Sequence, residues 1–109
     1  MNKITVIGFV GQDSECRDLE NGTRLGSFSL CTEERYKDKN GEWQSTKDWH
    51  VVKSFNRPLI DSKIMAIRRG HRILVEGRMR SIPWTDKDGN AKRDFYIEAS
   101  IIEQIVNVR

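Results

Sequence analysis

Tyr36, Trp43, Trp49 and Phe55 fall within residues 33–55, with Arg35, Lys37, Lys39, Lys47 and Lys53 set among them. This stretch holds four of the chain's nine aromatic side chains. Rings interleaved with cations have a defined chemistry. The π-faces stack on unpaired bases and the cations track the phosphates between them. The spacing sharpens the point. Residues 49–55 alternate with period two, so Trp49, Val51, Lys53 and Phe55 share one face of a strand while His50, Val52 and Ser54 share the other. A core-facing row seldom carries a lysine. An ordinary sheet with half-buried rings and solvated lysines would use the same residues, so the stretch alone leaves both readings open.

Other chemistries find less support. Glu33 and Glu34 stand at the start of the stretch, and Asp86 and Asp88 lie in a loop with Lys87 between them. Neither pair has the rigidly placed partner that metal or acid–base catalysis needs. There is no Gly-rich phosphate loop, no HExxH pair and no Ser/His/Asp set, so a non-enzymatic protein without cofactor or metal is expected. Cys16 and Cys31 lack metal-ligand spacing and read as two reduced thiols of a cytoplasmic protein. No apolar run is long enough to span a bilayer, and the amino terminus lacks a signal-peptide core.

These side chains need a scaffold, and the remaining sequence supplies one. The chain has 109 residues, 37% of them hydrophobic and 32% charged, with a net charge of +3. That length suits one domain with a modest core. The charge is too small to argue for nucleic acid by itself, but lysine and arginine crowd residues 33–55 and 68–80. Residues 3–10 read as a first strand, with Gly8 and Gly11 suggesting a bulge or close backbone approach. Residues 12–19 read as polar and irregular, and Glu20-Asn21-Gly22 as a turn. Residues 23–32 form a strand with Gly26, Phe28, Leu30 and Thr32 on one face. Lys39-Asn40-Gly41 then predicts a hairpin turn, because Asn and Gly tolerate positive φ.

One helical pattern follows. Pro58 suits a first turn, Ile60, Ile64 and Ile67 make one stripe, Arg68 and Arg69 suit the carboxyl end, and Gly70 suits a cap. Residues 71–80 form a strand in which Arg72, Arg78 and Arg80 oppose Ile73, Val75 and Met79, with Gly77 marking a bulge or bend. Trp84 precedes a second hairpin loop over residues 85–91, and residues 92–102 form the last strand. There, Phe95 and Tyr96 have opposite parity, so at least one is expected in the core. Both loops follow an aromatic residue and are basic, polar and glycine-containing. The sum is an all-β chain: five strands, two long hairpin arms, and one short helix between the third and fourth strands. This is the order of an OB-fold barrel, which closes its sheet and so has no open edges.

Ordered sequence words go beyond pattern. Asn2-Lys3 leads to Ile7-Gly8, then Gly11-Gln12-Asp13 with Glu15 and Arg17, then Phe28-Ser29-Leu30. Lys37-Asp38-Lys39, Gly41-Glu42-Trp43, Trp49-His50 with Val52 and Phe55, Arg69-Gly70, Glu76-Gly77-Arg78 and Trp84-Thr85-Asp86 complete the series. Over almost its whole length the chain resembles the bacterial and mitochondrial single-stranded DNA-binding protein family. The resemblance implies one OB-fold domain over residues 1–109 that binds single-stranded DNA without sequence preference in replication, recombination and repair. It places the stacking rings on Tyr36, Trp49, Phe55 and Trp84, and basic contacts on Lys39, Arg57, Arg69, Arg80 and one of Lys92 or Arg93. Lys37, Lys53 and Arg78 join these by position. Trp43 could stack, cap its arm or pack between subunits. His50 is implied at the interface of a homotetramer built as a dimer of dimers.

The chain departs from the family pattern at several places. Val51, Ile82 and Pro83 stand where basic residues are usual, the last strand matches least, and no Gly/Pro-rich tail with an acidic tip precedes Arg109. Partners recruited through such a tail are therefore not expected. A tail-less replication-restart accessory protein and an RNA-binding OB module are the alternatives.

Overall fold

The structure, a computed structural model, describes residues 1–106; the basic chain end at Arg109 lies outside them. Its strands are β1 (Ile4–Val10), β2 (Glu15–Asp18), β3 (Arg24–Lys37), β4 (Trp43–Ser54), β5 (Arg72–Thr85) and β6 (Ala91–Gln104). Five of them close a barrel in the order β1, β5, β6, β4, β3 and back to β1. All its pairings are antiparallel except β4 with β6, which run parallel at Val52–Ile97 and Lys53–Glu98. β1 serves two neighbours: Ile4 to Phe9 pair with β5, while Phe9 and Val10 also meet Cys31 and Leu30 of β3. This is the OB-fold expected from the element order.

The alternating residues fill the barrel as their parity requires. Phe28 and Leu30 of β3, Val52 of β4, Ile73 and Val75 of β5 and Ile97, Ala99 and Ile102 of β6 are buried together. The helical connection between β4 and β5 adds Ile60, Ile64 and Ile67 to this core. Asn56 starts that connection, its side-chain oxygen accepting the Leu59 N–H at 3.0 Å, with Pro58 in the first turn. An Asn cap satisfies an amide that the helix cannot.

The helix is shorter than the isoleucine stripe suggested. α1 covers Arg57–Ser62, and a 3₁₀ turn at Ile64–Ala66 follows. Tightening the winding still brings all three isoleucines inward. Arg68 and Arg69 therefore do not sit in a last helical turn. Arg68 instead donates to the carbonyl oxygens of Met65 and Ile67 at 2.8 and 3.0 Å, and the Arg69 N–H donates to Asp13 Oδ1 at 2.9 Å. Gly70, at φ +87°, belongs to the turn closed by the His71 N–H on the Arg68 carbonyl.

Two further corrections concern strands. The segment read as irregular contains β2, which extends the sheet from the edge of β3 and raises the count to six. Four residues are too few for a period to show in sequence. The predicted bend at Gly77 is present, but the extra residue lies on β6. Glu76 faces Ile101 and Gly77 faces Ala99, leaving Ser100 between them with its hydroxyl on the Glu76 carbonyl at 3.2 Å. Gly77 is what allows this approach, since a β-carbon there would collide with the Glu98 carbonyl.

Beyond the barrel, β3–β4 and β5–β6 continue as two arms. They raise the radius of gyration to 16.3 Å, against about 13 Å for a compact chain of this size. Their tips are built alike. Asp38 Oδ1 accepts the N–H groups of Asn40 and Glu42, each at 2.9 Å, and Asp86 Oδ1 accepts those of Asp88 and Asn90 at 2.9 and 2.8 Å. Among the described residues only glycines have positive φ, including Gly41 and Gly89 in these turns. Asn40 therefore does not adopt the left-handed conformation that the Asn-Gly pair suggested, and the aspartate holds the turn instead.

Candidate nucleic-acid interface

Register decides which candidate side chains meet. On β4 the row Trp43, Lys47, Trp49, Val51 and Lys53 lies on the outer face, because Val52 and Ser54 point inward and are buried, and the exposed Phe55 follows just past the strand end. Cross-strand partners extend the row over β3: Lys37 faces Trp43, Cys31 faces Trp49 and Ser27 faces Lys53. The parallel contact with β6 sets Lys53 beside Glu98. On β6 and β5 the outer row then runs through the pairs Glu98–Arg78, Tyr96–Arg80, Asp94–Ile82 and Lys92–Trp84. Trp49, Phe55 and Trp84 thus share one continuous outer surface, with 62%, 42% and 45% of each side chain exposed. Rings this open on a strand face have bases or another protein as their natural partner.

The surroundings of each ring differ. Trp49 rests against Gly11, where a β-carbon would lie 2.7 Å from the ring. Trp84 is tethered by its indole N–H, which donates to Asp94 Oδ1 at 3.1 Å. Trp43 lies under two cations, with Arg35 5.7 Å and Lys37 5.3 Å from its ring centroid. Tyr36 has even parity on β3 and faces Gln44, so it projects from the side of the first arm opposite Trp43 and Trp49.

The cations divide into two sets. Arg78 is bound to Glu98 at 2.7 Å, and Arg57 approaches Asp18 at 3.8 Å. Lys37, Lys39, Lys53, Arg69, Arg80, Lys92 and Arg93 form no ion pair among the described residues. Lys53 lies over the Tyr96 ring, 5.0 Å from its centroid. Lys92 stands beside Trp84 on the outer face, whereas Arg93 points to the reverse face and donates to Ser81 Oγ at 2.9 Å. His50 is half-buried, with its Nε2 2.9 Å from Thr32 Oγ1.

Two aromatics fall outside the expectation for β6. Neither Phe95 nor Tyr96 is in the core: Tyr96 is half-buried under Lys53 and Phe95 is 60% exposed. Phe95 has the parity of buried Ile97, but the barrel wall ends between them. Phe9 is a third ring not singled out from sequence, 56% exposed and paired with Cys31. Its odd parity along residues 3–10 was the available signal. Among the described residues no group of His, Cys, Asp and Glu could hold a metal ion, and no helix is long and apolar enough to cross a membrane.

A closed OB barrel whose outer face and arms interleave exposed rings with unpaired cations defines an oligonucleotide-binding class of protein. Residues 1–105 match the single-strand binding protein family, and the chain belongs to that family. Among solved structures it is similar to a Plasmodium falciparum SSB in complex with ssDNA, at 28% identity and a TM-score of 0.87, covering 97% of this chain and 96% of that one. A deletion mutant of the single-stranded DNA-binding protein from Thermus aquaticus shares the fold at 23% identity and a TM-score of 0.83. There the match covers 97% of this chain and 51% of the other. A small single-stranded DNA-binding protein from Streptomyces coelicolor shares it at 23% identity and a TM-score of 0.72, covering 95% and 94%.

Proposed function

We propose that this single-strand binding protein coats single-stranded DNA without sequence preference, stacking bases on Trp49, Phe55 and Trp84 and neutralising phosphates with Lys39, Lys53, Arg80 and Lys92. The observation that carries the reading is the shared outer face of β4, β6 and β5, where exposed rings lie among Lys53, Arg80 and Lys92, three cations that form no ion pair among the described residues. Every base offers a π-face, so such a surface is indifferent to sequence. Trp43 extends the path along the first arm, and Tyr36 offers a ring on that arm's opposite side. Protecting exposed strands during replication, recombination and repair is the role this chemistry suits, and the protein is not an enzyme in it.

Assembly into a homotetramer, a dimer of dimers with His50 at or near an interface, fits the apolar residues on outer faces. Ile7, Phe9 and Ile101 are all more than two-fifths exposed, and exposed apolar side chains of this size suit a subunit contact. A cytoplasmic setting suits its unpaired cysteines. Burial pushes the Cys16 thiol up, with the Arg24 guanidinium opposing.

A fluorescence titration tests the reading. Oligo-dT should quench the tryptophans and bind far more tightly than a duplex of equal length, with affinity falling as salt rises. Equal affinity for duplex would reject it. Incubating labelled oligonucleotide with Mg²⁺ should leave the strand intact, and light scattering should give a tetramer mass at micromolar concentration.

A further inference from the structure

The reverse face of the second arm carries a second, smaller set of the same chemistry. Parity and register put Ser81, Pro83 and Thr85 of β5 opposite Phe95, Arg93 and Ala91 of β6, all turned away from Trp84 and Lys92. This row continues the core-facing parity of Ile97 and Ala99 past the end of the barrel. Phe95 therefore has no core to enter and stays 60% exposed. Two residues along the same strand, ~6.6 Å at the usual strand rise, stands Arg93. Its guanidinium is steadied by Ser81 Oγ at 2.9 Å and forms no ion pair among the described residues. The acidic neighbour Asp94 points to the other face, occupied by the Trp84 indole N–H. The reverse row thus holds one open ring, one positioned cation and small uncharged residues, with no carboxylate.

We infer that the second arm binds single-stranded DNA on both faces, with Phe95 stacking a base and Arg93 holding the adjacent phosphate on the reverse face, so that the strand passes around the arm. The inference rests on the single-strand-binding reading above. A second copy of this chain is the rival occupant, and charge argues against it. A twofold contact buries the same patch of both copies, so pairing two reverse faces would enclose two Arg93 cations with no carboxylate in either row to meet them. A phosphate removes that conflict.

The test uses the intact protein and two dT oligomers. One is short enough for the outer face alone, and the other is long enough to continue around the arm. Phe95→Ala should leave short-oligomer affinity unchanged, and both Phe95→Ala and Arg93→Ala should weaken long-oligomer affinity at least fivefold. They should also reduce the nucleotides bound per protomer at saturation, and Arg93→Lys should restore part of the loss. An iodouracil-substituted long oligomer should photo-crosslink to the peptide containing Phe95. Unchanged affinity and site size in both variants would overturn the inference while leaving the outer-face reading intact. So would a fall in assembly mass with both oligomers weakened alike, which would mark the face as a subunit contact. Failure of the unsubstituted protein to bind either oligomer would overturn both readings.

Discussion

A β-carbon at Gly11 would lie 2.7 Å from both Cη2 and Cζ3 of Trp49, so the far edge of the indole occupies the space a side chain at residue 11 would need. The loop after β1 thereby sets the pose of the most exposed ring in the central row of β4. Gly11→Ala should push that ring aside without disturbing the barrel, because the obstructing atoms are the free end of a side chain. Binding of oligo-dT should weaken, by no more than the ~1–3 kcal/mol that one stacked base contributes. In a Trp49→Ala background the same substitution should cost nothing further. An additive loss in that double-mutant cycle would show that Gly11 acts independently of Trp49.

The exposed rings and the core should respond oppositely to truncation. Trp49→Ala and Trp84→Ala should each weaken binding by about 1–3 kcal/mol with little change in the urea midpoint. Leu30→Ala, at a side chain with no exposed surface, should cost about 2–5 kcal/mol of stability. Its folded fraction should bind DNA normally. Unfolding of either tryptophan variant would reassign that ring to the core.

Salt dependence should separate the two kinds of cation. Each phosphate contact on a single strand adds about 0.7 to the slope of log affinity against log salt. Arg80→Ala and Lys92→Ala should each flatten the slope by roughly that amount. Arg78→Ala should change it little, because Arg78 is already bound to Glu98 at 2.7 Å. A flat salt response in the unsubstituted protein would remove the phosphate role altogether.

The arm tips should loosen in acid. Hydrogen bonds from the Glu42 and Asn90 N–H groups hold the Asp38 and Asp86 carboxyls below the ordinary aspartate range; slight desolvation opposes this, and further bonds at each tip support it. A carboxyl depressed in the folded arm stabilises it above the unfolded value and loses that contribution as pH falls through the folded one. The tips should therefore stay ordered at neutral pH and fray below the ordinary aspartate range. Carbon-detected NMR titration of both carboxyls, with amide exchange at Asn40 and Asp88, checks this. Titration of Asp38 and Asp86 at or above the ordinary aspartate value would contradict it.

Parity was legible in the chain alone. The alternation at residues 49–55 named the outer row, and Ile60, Ile64 and Ile67 named a buried stripe. Lys39-Asn40-Gly41 marked an arm tip, and the order of strands and helix matched that of an OB-fold. These features depend on contacts within a few residues, which backbone periodicity encodes directly. Tertiary structure decided the rest. Phe95 has core parity but stands beyond the end of the barrel wall, a limit set by where β4 meets β6. Arg78 and Arg80 look equivalent along β5, yet register across to β6 gives one a carboxylate and the other a tyrosine ring. The helical stripe is divided between α1 and a 3₁₀ turn, and its three isoleucines still meet in one core. Strand closure and cross-strand register join residues far apart in sequence, and local pattern carries no record of those distances.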